Sequence, residues 1–203
     1  MPGAITHLKA AHIYIERVGG IDNAPQFYLG SVCPDSVNLN GHAPKEIRWP
    51  AHLRSGDLSV WESNAKRFYE ENRNLYDSSY LLGYILHIIT DIVWDREYDR
   101  PLCAMLHKSG VETENLKKMR WREIDGYELR QVGLDWHTEM MDNLKRAEAL
   151  SIGTLNHNDI SCWRTKIIEK DYNKDIVSSF VDDDFMDEFF NSVIENMLKI
   201  IEI

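Results

Sequence analysis

Apolar and polar residues along this chain follow a helical period nearly throughout. Apolar side chains recur every three or four positions, as on the buried face of an amphipathic helix. The pattern predicts helices over about 7–18, 24–32, 58–73, 77–98, 101–108, 112–131, 135–150 and 160–169, with a last helix after the run Asp182-Asp183-Asp184. We therefore expect an all-α fold: one domain over residues 1–203, built as a bundle of about eight helices.

Residues that favour helix ends mark several of these boundaries. Thr6 can cap the first helix, Asp57 can cap the helix near 58, and Asp77 or Ser78 can open the central helix. Pro101 predicts that the central helix stops before it, because proline removes a backbone donor and crowds the preceding turn.

Residues 36–56 contain Asn, Gly and two prolines and show no clear period, so they predict a long loop. Loops of this length in compact domains are usually functional or disordered. Asp35 stands at the start of the segment and His52 near its end, which favours a functional loop.

The most apolar run of the chain, residues 81–95, is interrupted in a regular way. It is too short and too charged to cross a membrane. His87, Asp91 and Asp95 are spaced four apart, so a helix places them along one face. Buried carboxylates need a partner, because removing an ion from water costs on the order of several kcal/mol. This stripe predicts a bound cation inside the fold.

The charge balance narrows the class of partner. The 203-residue chain carries 23 basic and 33 acidic residues, a formal charge of −10. This balance argues against a broad surface for nucleic acid, which needs a basic stripe. A small phosphate ester remains compatible, because a bound metal supplies positive charge locally.

The cysteines and the first residues bear on the compartment. The three cysteines are far apart in the chain and form no CxxC pair, which favours a reducing compartment over a disulfide framework. Residues 1–5 lack the basic start and long apolar centre of a secretory signal. We expect a cytoplasmic protein.

Histidines and aspartates spread along the first half are the candidate metal ligands. In chain order they are His7, Asp35, His52, His87 and Asp91, with Asp95 and His137 as further candidates. Imidazole and carboxylate ligands suit zinc, and a closed tetrahedral shell needs about four donors. Each also has a plainer interpretation, such as a core or loop histidine or an arginine-paired aspartate. The other four histidines are interpreted as structural or surface residues: His12, His42, His107 and His157.

Four segments of this sequence resemble the zinc-dependent phospholipase C family, which is similar in fold to the S1/P1-type nucleases. They are Met1–His7, Leu29–Asp35, Ala51–Leu53 and Leu82–Asp91. The resemblance covers about the first hundred residues. It implies an all-α fold with a cluster of three zinc ions at the base of a cleft, where phosphate esters are hydrolysed.

The resemblance implies a role for each matching residue. One zinc ion would be held by Asp35, His52, His87 and Asp91. Asp91 would bridge to a second zinc ion, which His7 also binds, and Asp35 is additionally a candidate general base. A metal-activated hydroxide would then attack phosphorus.

The sequence also departs from the family pattern. Secreted members begin with a tryptophan whose amino group and carbonyl bind zinc, whereas this chain begins Met1-Pro2. At the third site, His137 is followed four residues later by Met141 and not by a carboxylate. Asp95, Glu139 and Asp142 could substitute, and none matches the pattern. One to three Zn²⁺ ions are therefore expected, and only the first site is complete.

The leading hypothesis is a zinc-dependent phosphodiesterase of the phospholipase C type. Its substrate would be a small-molecule or phospholipid phosphate ester, and its action could involve transient membrane contact. The alternatives are a nuclease or small phosphoesterase in the same fold, or a non-catalytic helical protein that keeps only a structural metal. The sequence does not set an oligomeric state.

Overall fold

A computed structural model describes residues 2–172 and 176–201 of the chain. Within these residues the fold is all-α, as predicted, and no β-strand is formed. The α-helices are α1 Ala4–Val18, α2 Ala24–Gly30, α3 Lys45–Ala51, α4 Leu58–Asn72, α5 Ser78–Val93, α6 Asp99–Lys108, α7 Leu116–Gln131, α8 Asp135–Arg146, α9 His157–Ile168 and α10 Asp183–Ile201. Met1 and the last two residues of the predicted final helix lie outside the described residues.

The central helix α5 occupies the middle of the core. Asp77 caps it by accepting a hydrogen bond from the Tyr80 N–H at 2.8 Å, which confirms the predicted start. Because the helix is apolar nearly all round, it is buried on all sides, against α1, α2, α4 and α10. Its polar residues His87 and Asp91 are therefore fully buried.

The crossing of α2 and α5 is unusually close because each helix has a glycine at the contact. A Cβ atom on Gly83 would lie 2.1 Å from the Phe27 carbonyl oxygen, and one on Gly30 would lie 2.2 Å from the Tyr80 carbonyl oxygen. Only glycine permits the two backbones to touch in this way. The contact places the Ser31 carbonyl oxygen 2.9 Å from Nδ1 of His87.

Two of the predicted boundaries are wrong. The central helix does not end before Pro101: it passes through a π-helical turn, Trp94–Tyr98, into α6. Pro101 falls in the first turn of α6, where a helix does not use the backbone N–H. Residues 36–56 are not one loop, since they contain the end of the 3₁₀ helix Cys33–Asn38 and the whole of α3.

Thr6 does not cap α1, which begins at Ala4 with Gly3 at the N-cap position. The Thr6 N–H and hydroxyl instead donate to Glu128 of α7, at 2.9 and 2.7 Å. This long-range carboxylate replaces the local cap that the sequence suggested. Among the described residues, no helix is both long and apolar enough to cross a membrane.

Candidate metal centre

The fold brings together the five leading candidate ligands from four parts of the chain. His7 comes from α1, Asp35 from the 3₁₀ helix, and His52 from the residue that ends α3. His87 and Asp91 lie one turn apart on α5. Among the described residues they form two overlapping groups whose ligand atoms lie within 4.8 Å of one another: His7, His87 and Asp91, and Asp35, His52 and His87.

Asp91 is at the centre of this arrangement. Its Oδ1 lies 3.7 Å from Nε2 of His7, and its Oδ2 lies 3.9 Å from Nε2 of both His52 and His87. The two carboxylate oxygens therefore face different imidazoles. Asp35 completes the group, with Oδ1 3.3 Å from Nε2 of His52.

Backbone carbonyls accept hydrogen bonds from the Nδ1 atoms of two of the imidazoles. Nδ1 of His87 is 2.9 Å from the Ser31 oxygen, and Nδ1 of His52 is 2.9 Å from the Arg48 oxygen. A carbonyl only accepts, so each Nδ1 carries the hydrogen and donates it. Each Nε2 of a neutral ring is then left with a free lone pair directed at the carboxylates, the arrangement typical of metal-ligating histidines.

Neighbouring helices also fix the position of His52. The Tyr84 hydroxyl on α5 donates to the Ala51 carbonyl at 2.7 Å, and Trp61 Nε1 on α4 donates to the His52 carbonyl at 2.8 Å. The end of α3 is thus tied to the two helices beneath it.

The ligand atoms are buried and lack partners within the described protein. Both nitrogens of His7, Nε2 of His52 and His87, and both oxygens of Asp91 make no hydrogen bond there. His87 and Asp91 have no exposed surface, and His7 and His52 are each 1% exposed. Buried polar groups are normally satisfied, so this cluster of unpartnered nitrogens and oxygens fits a bound cation. A mixed imidazole and carboxylate set fits zinc.

The electrostatics of the site follow from burial. Burial raises the pKa of Asp91 to about 7 and lowers the pKa of His87 to about 4. Burial also lowers the pKa of His7 well below its usual value. His7 and His87 are therefore neutral at pH 7, the form that can bind a metal.

Asp35 and His52 behave as a pair. Burial works against charge on both, yet the attraction between the carboxylate and the imidazole, whose nearest atoms lie 3.3 Å apart, holds the pKa of Asp35 below its ordinary value and raises that of His52. Asp35 is also the most accessible ligand, at 14% exposure, and it lines a cleft of about 770 Å³. It is thus the side chain of the group that a molecule in the cleft would reach.

His137, one of the two further candidates, is in neither group. It lies near the start of α8, where its Nδ1 accepts from the Gly133 N–H at 3.4 Å and its ring packs against Trp136 and Tyr172. The carboxylates considered with it do not join it: Glu139 and Asp142 are exposed on α8, and Asp95 pairs with Arg54. The described residues therefore assemble no third group around His137.

Several residues at the site carry no recognisable sequence signal. Ser31 and Arg48 act through backbone carbonyls, which every residue has. Glu128 is buried against Thr6 and lines the cleft, but it lies in a half of the chain where no motif was recognised. Only its contact 122 residues away reveals it.

Comparison with known proteins agrees with this geometry. A family model described as zinc dependent phospholipase C matches residues 5–202, and so extends the resemblance into the C-terminal half. No curated protein and no solved structure matches the chain significantly. The match spans nearly the whole sequence, and the chain therefore belongs to the zinc dependent phospholipase C family.

Proposed function

We propose that this protein is a zinc-dependent phosphoric ester hydrolase of the phospholipase C type. The observation that carries the proposal is the set of buried imidazole and carboxylate atoms that converge without protein partners at the edge of a cleft. Membership of the family supports zinc as the metal and a phospholipid phosphate ester as the class of substrate.

One zinc ion would be held by Asp35, His52, His87 and Asp91, and a second by His7 and Asp91. The orientation of Asp91 supports this sharing, because Oδ1 faces His7 whereas Oδ2 faces His52 and His87. A carboxylate with its two oxygens directed at different ligand sets is suited to bridge two ions. We propose at least one ion and, through Asp91, a second.

Bound zinc would supply Lewis-acid chemistry, activating water at neutral pH and offsetting charge on the phosphoryl oxygens. The chain itself contributes positioning and proton transfer. Asp35, ionised and exposed to the cleft, would orient a water molecule and accept its proton as general base. The carbonyls of Ser31 and Arg48 hold His87 and His52 in the orientation that ligation requires.

We also propose that the chain forms one domain, since α10 packs directly against α1 and α5. The cysteines are free thiols, which suits the reducing cytoplasm that we propose as its location.

The direct test is metal analysis combined with turnover. Protein purified without chelator should contain tightly held zinc, and His87→Ala and Asp91→Asn should lose both zinc and hydrolysis of a short-chain phospholipid. His107→Ala, which changes an exposed histidine outside both groups, is the matched control and should keep both. Absence of zinc from the wild-type protein, or full activity of His87→Ala, would overturn the proposal.

The competing function is a non-catalytic protein that keeps a structural metal. The isolation of His137 from both groups favours it, since the expected third site is not assembled in the described residues. The two functions differ in one measurement: a zinc-loaded protein that hydrolyses no phosphate ester would be the structural form.

A further inference from the structure

The cleft beside the metal site concentrates positive charge in a chain that is otherwise acidic. Its lining includes seven of the 23 lysines and arginines but only five of the 33 aspartates and glutamates. A set of residues drawn at random from this composition would have a net negative charge, whereas the lining of the cleft has a net positive one. The charge of the cleft is therefore a local property of the site.

Two of these cations are already neutralised by the protein. Arg54 pairs with Asp95, and Arg120 pairs with Asp99. Within the described residues, no carboxylate lies within 4.0 Å of the other five, which are Arg48, Arg100, Lys117, Lys166 and Lys170.

Three residues that line the cleft also have buried hydrogen-bond donors without acceptors. Nε of Arg48, Nε of Arg120 and Nε1 of Trp163 are buried and have no partner in the described part of the chain. All three groups can only donate, so they match a ligand rich in acceptors. Phosphate oxygens are such acceptors, and arginine binds them strongly.

A quaternary ammonium headgroup is a poor match for this cleft. Such groups are bound by open aromatic faces. Of the three tryptophans in the lining, Trp49 already lies beneath Lys45 at 3.7 Å and Trp163 beneath Lys166 at 5.4 Å. Protein cations therefore already contact two of the three rings that a choline group could use.

We infer that the preferred substrate is a phosphate ester whose headgroup carries negative charge beyond the reacting phosphodiester, such as a phosphorylated polyol. The inference rests on the proposed hydrolase function and specifies its substrate class. A volume of about 770 Å³ suits one headgroup better than a nucleic-acid strand. The unpaired cations bind the additional charge and place the phosphodiester beside Asp35.

The test compares two water-soluble short-chain lipids with the zinc-loaded full-length protein. One is phosphatidylinositol 4-phosphate and the other is phosphatidylcholine. The anionic lipid should be hydrolysed with a kcat/KM about tenfold or more above the zwitterionic one, a difference worth one or two charge-assisted hydrogen bonds. The preference should weaken as salt is added, because exposed charges are screened.

Neighbouring lysines on α7 provide a matched pair of variants. Lys117 lines the cleft and Lys118 does not, and both are exposed. Lys117→Gln should raise KM for the anionic lipid severalfold and should change phosphatidylcholine hydrolysis much less. Lys118→Gln should behave as wild type with both lipids.

Inositol 1,4-bisphosphate provides a readout that does not depend on turnover. It should bind the zinc-loaded protein in calorimetry and bind Lys117→Gln more weakly than Lys118→Gln.

Lack of bisphosphate binding, or equal binding by the two variants, overturns the inference. So does equal hydrolysis of both lipids, which leaves the hydrolase function intact. Bisphosphate binding without hydrolysis of either lipid instead refutes the hydrolase function and retains the anionic site. Faster cleavage of a single-stranded oligonucleotide than of either lipid overturns the headgroup assignment.

Discussion

Asp91 is the candidate ligand whose carboxylate is fully buried. In the absence of a metal, this burial raises its pKa to about 7. The folded protein then binds a proton that the unfolded chain releases near pH 4. Stability from this group is therefore lost as the pH rises from about 4 to about 7, the sign for an acid with a raised folded pKa. A cation between Asp91 and the imidazoles removes the cause of that loss.

The variant Asp91→Asn should consequently have opposite effects with and without zinc. In chelator at pH 8 it should be more stable than wild type by roughly 2–4 kcal/mol, because a buried charge is replaced by a neutral amide. With saturating zinc it should be less stable than wild type, because a shared ligand is lost. Urea denaturation in both conditions measures the two differences. Destabilisation of similar size in both conditions would mean that Asp91 serves packing and not metal binding.

At the scale of elements, the contact between α2 and α5 links the core to the site. Gly83 and Gly30 let the two backbones touch, and the same contact presents the Ser31 carbonyl to His87. The obstruction at each glycine is backbone, so no side-chain rotation can make room. Packing and ligand orientation therefore depend on the same crossing.

We expect Gly83→Ala to lower both stability and zinc affinity. The added methyl must push α2 away, at a cost of about 1–3 kcal/mol or more. Moving the carbonyl that orients His87 should weaken zinc binding by about 10–100-fold. Thermal unfolding and zinc titration measure the two effects. Gly56→Ala is the control, since its Cβ would meet only Trp49 at 3.9 Å. If Gly83→Ala were destabilised but bound zinc with unchanged affinity, the helix crossing would not control the orientation of His87.

The contact between α1 and α7 contributes a separate pH dependence to the free energy of unfolding. Glu128 is buried there, accepts two hydrogen bonds from Thr6, and has a pKa raised chiefly by burial. A raised folded pKa means that this group contributes less stability as the pH rises above its unfolded value of about 4.3, until the folded pKa is passed.

Glu128→Gln keeps an oxygen acceptor for Thr6 and removes the titration. The difference in unfolding free energy between variant and wild type should therefore move in favour of the variant between pH 4 and pH 8. Denaturant midpoints measured at steps across that range, at equal zinc saturation, test this. A constant difference at all pH values would show that Glu128 titrates alike in the folded and unfolded chain.

The elements that sequence predicted well are those with long patterns and local caps. Asp57 and Asp77 cap α4 and α5 as expected, because a side chain two or three residues from the N–H it satisfies is visible locally. The seven-residue α3 is too short to show a period, so its sequence predicts a loop. The sequence suggests a local capping role for Thr6 because its actual partner, Glu128, is far away in the chain.

The residues of the candidate site likewise differ in whether a local sequence pattern reveals them. His87 and Asp91 are recognisable together because four-residue spacing sets them on one helical face, and the family motifs supplied His7, Asp35 and His52. Sequence could not show that His137 packs against Trp136 and Tyr172, since that depends on how α8 meets the segment after α9. The basic cleft is equally invisible, because its cations come from α3, α6, α7 and α9 and the segments beside them, while the whole chain sums to −10.

At the scale of the whole molecule, the five candidate ligands come from segments that span residues 7–91. His7 anchors α1, His52 the end of α3, and His87 and Asp91 the central helix. A metal that binds only when these parts are assembled stabilises the folded state through binding alone. The effect should therefore appear in global unfolding and not only in the region of the site.

We expect removal of zinc to lower the melting temperature of the whole protein. At a free zinc concentration 100 times Kd, binding contributes about 2.7 kcal/mol. For a chain of this size, each kcal/mol shifts Tm by about 2–4 °C, so chelation should lower it by roughly 5–10 °C. Calorimetric scans with zinc, with chelator, and with zinc restored measure the shift and its reversibility.

Magnesium should not replace zinc, because it prefers oxygen ligands and three of these five side chains are imidazoles. Asp91→Asn should show a much smaller shift, since the shared ligand is missing. Equal melting temperatures with and without zinc would mean that the five side chains do not hold the ion at all.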